Sequence, residues 1–258
     1  MQQEHIDDVN KHVRWKRKCG FYELYIKRLM DIVCSLAAII VFSWLYIIVA
    51  VLVRVKLGSP VLFKQPRPGK IDPNTGREKI FYMYKFRTMT NERDQAGALL
   101  SDEKRLTAFG RALRATSLDE LPEAFNILKG DMSVIGPRPQ LVRDMVFMTK
   151  EQRVRHSVRP GLSGLAQIRG RNALAWENKL EADLEYISHI TFWGDLKIIA
   201  ATVRQVFFHE KGQADAGIDE VAVTDDYGDW LLKCGRVTQE AYEKKQQEAL
   251  ELLKEAQK

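Results

Sequence analysis

The chain has 258 residues, a formal net charge of +6, 45% hydrophobic and 29% charged residues, an ordinary balance for one sizeable domain with appendages. A basic chain favours nucleic acid, anionic lipid or phosphorylated ligands; with no zinc-finger spacing and no aromatic RNA-binding signature, nucleic acid is excluded and a membrane surface is expected. Cys19, Cys34 and Cys234 are odd in number and far apart, which excludes a disulfide framework or a cysteine metal site and fits a reducing cytoplasm. The first twenty residues lack the apolar run and cleavage site of a secretory signal.

Residues 1–20 are polar, with Lys11, Arg14, Lys16, Arg17 and Lys18 clustered ahead of the first apolar run. Interfacial helix or solvated tail, such a segment is drawn to anionic headgroups. Ile32 to Val53 is uncharged, long enough at about 1.5 Å per residue to cross a hydrocarbon core. Lys27 and Arg28 precede it and Arg54, Lys56, Lys64 and Arg67 follow it. A full span would put one basic flank outside, against the positive-inside tendency. Lys27, Arg28 and Asp31 are placed to anchor the helix at the membrane edge. Gly58-Ser59-Pro60 ends the helix. Val61 to Gln65 and Ile80 to Phe86 read as strands, separated by the turn chemistry of Asp72-Pro73-Asn74-Thr75-Gly76. Alternation puts Phe81, Met83 and Lys85 on one face and Tyr82, Tyr84 and Phe86 on the other.

Leu106, Phe109 and Leu113 recur at helical spacing, with Arg111 and Arg114 on one face. Leu141 to Val154 reads as a helix whose Val142, Met145, Val146 and Met148 serve packing. Trp176 to Ile190 and Phe192 to Phe208 read as two more. The stripe of Leu196, Ile199, Val203, Val206 and Phe207, with Trp193 near one end, suits an interfacial helix or a core helix. His189 has no partner at metal-ligand spacing. Glu210 to Asp226 is a Gly- and Asp-rich linker. Glu240 to Lys258 is a strong helix former with little apolar face, expected as a solvated tail, with a partner or dimer contact as the alternative.

The densest chemistry lies between Thr116 and Pro139. Ser117 with Glu120 three residues on reads as a capping box, and Pro122 suits a helix start. Asp119 and Glu120 then lie beside free backbone amides that favour phosphate or carboxylate. Pro137 and Pro139 brace Arg138 for a bidentate anion contact. Carboxylates that can attack or hold a metal, beside arginines that can hold phosphates, point to phosphoryl transfer. The alternative is an Asp-Glu pair that only caps a helix and a Gly-Pro-Arg-Pro run that is only a rigid turn. Residues Arg159 to Asn172 are rich in Gly and Arg, suited to bringing backbone amides and guanidinium groups to a phosphate, or to forming a glycine-rich loop with exposed arginines.

Five motifs occur in one order: Lys85-Phe86-Arg87-Thr88-Met89, Ser117-Leu118-Asp119-Glu120-Leu121-Pro122, Gly130-Asp131-Met132-Ser133, Gly136-Pro137-Arg138-Pro139 and Arg159-Pro160-Gly161-Leu162-Ser163-Gly164. In this the chain resembles the monotopic polyprenyl-phosphate phosphoglycosyl transferases, bacterial sugar transferases, over Phe21 to Phe208. The resemblance implies an α+β fold: a mostly helical catalytic domain with a small β-hairpin or sheet, a re-entrant membrane helix and interfacial amphipathic helices. The expected order is a basic segment at 1–20, the membrane helix at 21–57, the catalytic domain at 58–208, then a linker and charged helical tail at 209–258. In the family a Ser-Pro pair breaks the membrane helix and leaves both ends cytoplasmic. Here Trp44 follows Ser43, so the bend cannot be argued from proline chemistry; Ser43 bonding back to a carbonyl one turn earlier is a weaker device that could supply it. Leu165 stands where the family commonly has Trp.

The reaction implied passes a sugar 1-phosphate from a UDP-sugar to a polyprenyl (undecaprenyl) phosphate at the cytoplasmic face of the bacterial inner membrane, releasing UMP, an early membrane step of glycoconjugate assembly. By resemblance Asp119 is the nucleophile and a Mg²⁺ ligand, and Glu120 a base or metal partner. Lys85, Arg114, Arg138, Arg159 and Arg171 bind substrate phosphates. Membrane lipid is a further partner, and a homo-oligomer is left open. Two rivals are set against this. A glycoside hydrolase needs carboxylates flanking the scissile bond, which adjacent Asp119 and Glu120 supply poorly. A non-catalytic basic membrane scaffold would bind lipid and form no UMP.

Overall fold

The computed structural model describes residues 19–170, 175–208 and 226–257. A π-helical turn, Tyr22–Ile26, runs into α1 (Lys27–Val41), followed by α2 (Ser43–Leu57), strands β1 (Leu62–Ile71) and β2 (Glu78–Phe86), then α3 (Asp102–Arg105) and α4 (Ala108–Ala115). A 3₁₀ turn at Leu118–Glu120 leads to α5 (Glu123–Lys129), β3 (Ser133–Ile135), α6 (Val142–Met145), α7 (Lys150–Arg153), β4 (Gly161–Ser163) and α8 (Leu165–Gly170). The remaining helices among the described residues are α9 (Trp176–Ser188), α10 (Phe192–Phe208), α11 (Tyr227–Lys233) and α12 (Gln239–Glu255). The fold is α+β and mostly helical, with two two-stranded sheets among the described residues, β1-β2 and β3-β4. The basic cluster from Lys11 to Lys18, the segment holding Arg171 and Asn172, and the linker at 209–225 lie outside the described residues.

Two compact units emerge: Asp31–Gln65 with Tyr82–Lys129, and Met1–Met30 with Pro66–Phe81 and Gly130–Lys258. In the first, smaller unit, Val49, Val53 and Leu57 are buried because spacing of four keeps them on one face of α2. They pack with Phe86 of β2 and Leu113 of α4, each burial contributing about 2 kcal/mol. Leu45, Tyr46 and Ala50 pack partly buried against them, while Trp44, Ile47, Val51 and Val55 on α2 are exposed. Gly58 closes α2 at φ +81, a backbone region that side chains with a Cβ disfavour. No single described helix is long and apolar enough to cross a membrane, but Tyr22–Val41 and Ser43–Leu57 pass together as a pair bent by 64°. The break sits at Phe42, with φ −96 and ψ 12. It is a backbone departure: among the described residues the Ser43 hydroxyl makes no hydrogen bond, so the expected Ser43 device is not what bends the helix.

The larger unit centres on β3 and β4, paired in parallel with Ser133 opposite Gly161 and Ile135 opposite Ser163. Ile135 joins Val158, Tyr186, Ile187 and Ile198 in a core under α9 and α10. The segment expected as one helix from Leu141 to Val154 is instead two single turns. Thr149 interrupts it, accepting from the Gln152 amide while Gln152 accepts from the Thr149 amide, so that a new helix starts at Lys150. The C-terminal segment is packed rather than solvated. Ala249 of α12 is buried with Val142, Met145 and Val146, and Tyr227 and Leu231 of α11 are buried with Met148, Trp176 and Leu180.

Candidate active site

The motif Lys85-Phe86-Arg87-Thr88-Met89 ends β2, and its side chains divide the labour of the smaller unit. Phe86 enters the core. Arg87, buried, donates to the carbonyl oxygens of Ser59, at 2.8 Å, and Leu57, tying down the end of α2. Thr88 accepts from Arg114 Nε at 3.0 Å. Gly110 is needed for this approach, because a Cβ there would overlap the Thr88 carbonyl. Lys85 is left to the carboxylates: its Nζ lies 2.7 Å from Glu120 Oε1 and 3.2 Å from Glu123 Oε1.

Asp119 reaches this cluster by an unusual turn. The chain leaves α4 at Thr116 and reverses at Ser117, a residue other than glycine in the left-handed region at φ +55. A capping residue takes an extended backbone and points its oxygen at the following amides. Left-handed Ser117 does neither, and its side chain makes no cap bond. The capping box expected there does not form. Instead the Ser117 carbonyl accepts from the Glu120 amide at 3.2 Å, closing the single 3₁₀ turn that carries Asp119. Such a left-handed residue costs about 1 kcal/mol or more, strain that concentrates at functional sites.

Asp119 is only 7% exposed. Burial pushes its carboxyl above the usual aspartate range; Lys85 pulls against that, Glu120 adds to it, and Arg114 opposes it. The site therefore joins a carboxylate of heightened proton affinity to a lysine shared by two more carboxylates and an exposed arginine. Among the described residues no three His, Cys, Asp or Glu gather as a metal cage. A small hard cation held by one or two carboxylates and by substrate phosphate needs no such cage, and Asp119 beside Glu120 meets that donor set.

The other expected phosphate ligands belong to the larger unit. Arg138 lies on the turn after β3, its carbonyl accepting from Arg155 Nη2 at 2.7 Å. Arg155 is itself buried against Asp183, with Nε to Oδ2 at 2.9 Å. Arg67 supports the same turn through the Pro139 carbonyl at 3.3 Å. Arg159 Nε donates to the Gly130 carbonyl at 2.8 Å, so that guanidinium also serves the fold. Arg171 lies outside the described residues. The glycines of this region make room for backbone: a Cβ on Gly136 or Gly164 would run into the opposing segment, and one on Gly161 would overlap the Gly136 amide.

Several contributors are hard to see in sequence. Glu123 and Asn126 of α5 both hold β2, Asn126 accepting from the Tyr84 amide at 2.9 Å and donating to the Tyr82 carbonyl at 2.8 Å. Their spacing of three, one face of a helix, is the available signal. Arg155 and Asp183 are far apart in the chain and carry no local signature.

A family model described as bacterial sugar transferase matches residues 22–209. The uncharacterized sugar transferase EpsL of Bacillus subtilis is 47% identical over 187 residues, covering 72% of this chain and 90% of that protein. A UDP-N-acetylgalactosamine-undecaprenyl-phosphate N-acetylgalactosaminephosphotransferase of Aeromonas hydrophila is 40% identical over 194 residues, 70% of this chain and 44% of that protein. A UDP-glucose:undecaprenyl-phosphate glucose-1-phosphate transferase of Caulobacter vibrioides is 37% identical over 188 residues, 69% of this chain and 68% of that protein. This chain thus spans less than half the length of the Aeromonas relative.

Proposed function

This chain belongs to the bacterial sugar transferase family, and from that premise we propose that it passes a sugar 1-phosphate from a UDP-sugar to undecaprenyl phosphate. An Asp119 oxygen attacks the sugar-linked phosphorus, forming an acyl-phosphate bond; the bond to the bridging oxygen breaks, and UMP leaves with that electron pair. A phosphate oxygen of undecaprenyl phosphate then attacks the same phosphorus, breaking the acyl-phosphate bond and restoring the carboxylate. The products are undecaprenyl diphosphate-sugar and UMP. The supporting observation is the placing of Asp119: buried, raised in proton affinity and therefore a better nucleophile when ionised, on a strained turn beside Lys85 and Arg114.

Lys85 and Arg114 offset the charge of the approaching diphosphate, and Arg138, Arg159 and Arg171 are proposed to hold further phosphate oxygens. Asp119, seconded by Glu120, would hold Mg²⁺, which when bound supplies charge neutralisation between carboxylate and diphosphate. Glu120 serves as a base or metal partner. The test is UMP release from UDP-glucose and UDP-N-acetylgalactosamine with undecaprenyl phosphate and Mg²⁺. About one equivalent of UMP per enzyme from donor alone, with continued turnover only when the lipid acceptor is present, supports the reading; free sugar, or lipid binding without UMP, contradicts it.

The bent helix pair, with Leu29, Val33, Leu36, Ile40, Trp44, Ile47, Val51 and Val55 exposed, supports a re-entrant membrane helix. Phe192, Trp193, Leu196 and Val203, exposed on α10, suit an interfacial helix. On this reading the catalytic residues work at the cytoplasmic face of the inner membrane. Cys19 and Cys234 are both exposed. An impermeant maleimide should label both in cytoplasm-out vesicles, whereas a spanning helix would leave Cys19 protected.

A further inference from the structure

The two carboxylates on Lys85 are not equivalent. The Glu120 side chain is 20% exposed and 2.7 Å away; that of Glu123 is 1% exposed and 3.2 Å away. Glu120 shares the Asp119 turn, where a diphosphate and its cation would arrive. Glu123 begins α5, the helix that Asn126, wholly buried, fastens to the β2 backbone at Tyr82 and Tyr84. α5 therefore grips β2 twice, through the backbone beside Lys85 and through the Lys85 ammonium. The ion pair of Lys85 with Glu123 is costly to separate, because the Glu123 carboxylate lies away from water. Glu120, being partly solvated, can exchange Lys85 for another partner at far lower cost.

We propose that Glu123 is a positioning residue: it holds the Lys85 ammonium beside Asp119, so that Glu120 can leave Lys85 when the donor diphosphate binds. An ammonium has three N–H donors. Lys85 pairs with Glu123 by charge, without a hydrogen bond to Glu123 Oε1, so the N–H it gives to Glu120 turns to a phosphate oxygen while the ion pair keeps the ammonium in place, and Glu120 turns to its own role at the reacting phosphorus. This rests on the reading of Asp119 as nucleophile. Glu123 acts only through Lys85.

The test is a double-mutant cycle of Glu123→Gln and Lys85→Met, with kcat and KM read from UMP release using whichever of UDP-glucose and UDP-N-acetylgalactosamine is turned over, and with thermal unfolding of every variant. Glu123→Gln should lower kcat about 10- to 100-fold with KM for the donor changed less than about threefold. Glu123→Asp should recover part of the loss, and in the Lys85→Met background Glu123→Gln should cost no further kcat. An equal kcat loss with and without Lys85, or full kcat in Glu123→Gln, overturns the proposal. Should Glu123→Gln fail to fold, Glu123→Asp alone decides: reduced kcat at unchanged donor KM supports the role, and unchanged kcat overturns it. An active Asp119→Asn enzyme would sink the nucleophile instead, leaving the Lys85–Glu123 coupling in unfolding measurable on its own.

Discussion

Two buried aspartates of this chain, Asp195 and Asp119, are treated in opposite ways by their surroundings. Asp195 is wholly buried at the start of α10 and receives Lys27 Nζ at 2.5 Å, Tyr22 Oη at 2.8 Å and Tyr186 Oη at 2.8 Å. One cation and two hydroxyls satisfy it, and it joins the start of α1 to α10 within the larger unit. Asp119 sits beside a like charge, Glu120, in a place where burial raises its proton affinity. Charge satisfied on all sides holds a fold together; charge kept ill at ease is available for chemistry.

Substituting each aspartate separates these roles. Asp119→Asn should lower kcat for UMP release by about 10⁴-fold or more, with the circular dichroism spectrum unchanged. Asp195→Asn should instead destabilise by about 3 kcal/mol, because it strands the buried Lys27 ammonium, while folded protein at low temperature keeps kcat within about threefold. If both lost activity and neither lost stability, the contrast would be gone. A structural control in the same unit as Asp195 is Gly161→Ala. Its Cβ would meet the Gly136 backbone, and denaturant unfolding should show a loss of about 2 kcal/mol.

The smallest effect is the sharpest in sign. The folded-state pKa of Asp119 lies above its ordinary 3.8, so its ionisation disfavours the fold: its contribution is best below the unfolded value and is lost as pH rises through the folded one. In metal-free buffer at pH 7, Asp119→Asn should therefore be more stable than the parent by about 1 kcal/mol. That gain should fade as pH falls toward 3.8 in paired thermal melts. Activity should fall on acidification at a pH above the ordinary aspartate value.

Much of this was legible in the sequence, for reasons that differ by element. Helices α9 and α10 follow from their apolar spacing, and the hairpin from its turn residues. The family resemblance puts Lys85 near Asp119 and Glu120, and in the structure Lys85 pairs with Glu120. What escaped is what depends on distant partners. Ser117 reads as a cap, but its left-handed backbone turns the chain instead. Gly161 and Gly164 belong to a stretch that reads either as a phosphate cradle or as a glycine-rich loop, and at these two positions the close neighbour is the backbone of Gly136. The Thr149-to-Gln152 spacing was a local capping signal capable of dividing the helix expected there. α12 looked polar because its buried face is narrow, built on Ala249 with Leu252 and Leu253.

The most direct measurement is the mass of the enzyme after incubation with donor alone, UDP-glucose or UDP-N-acetylgalactosamine with Mg²⁺ and no lipid acceptor. A phosphosugar should be found on the peptide holding Asp119 and should be discharged when undecaprenyl phosphate is added. Unmodified protein, or an adduct on another residue, under conditions where the complete mixture releases UMP, would contradict the account.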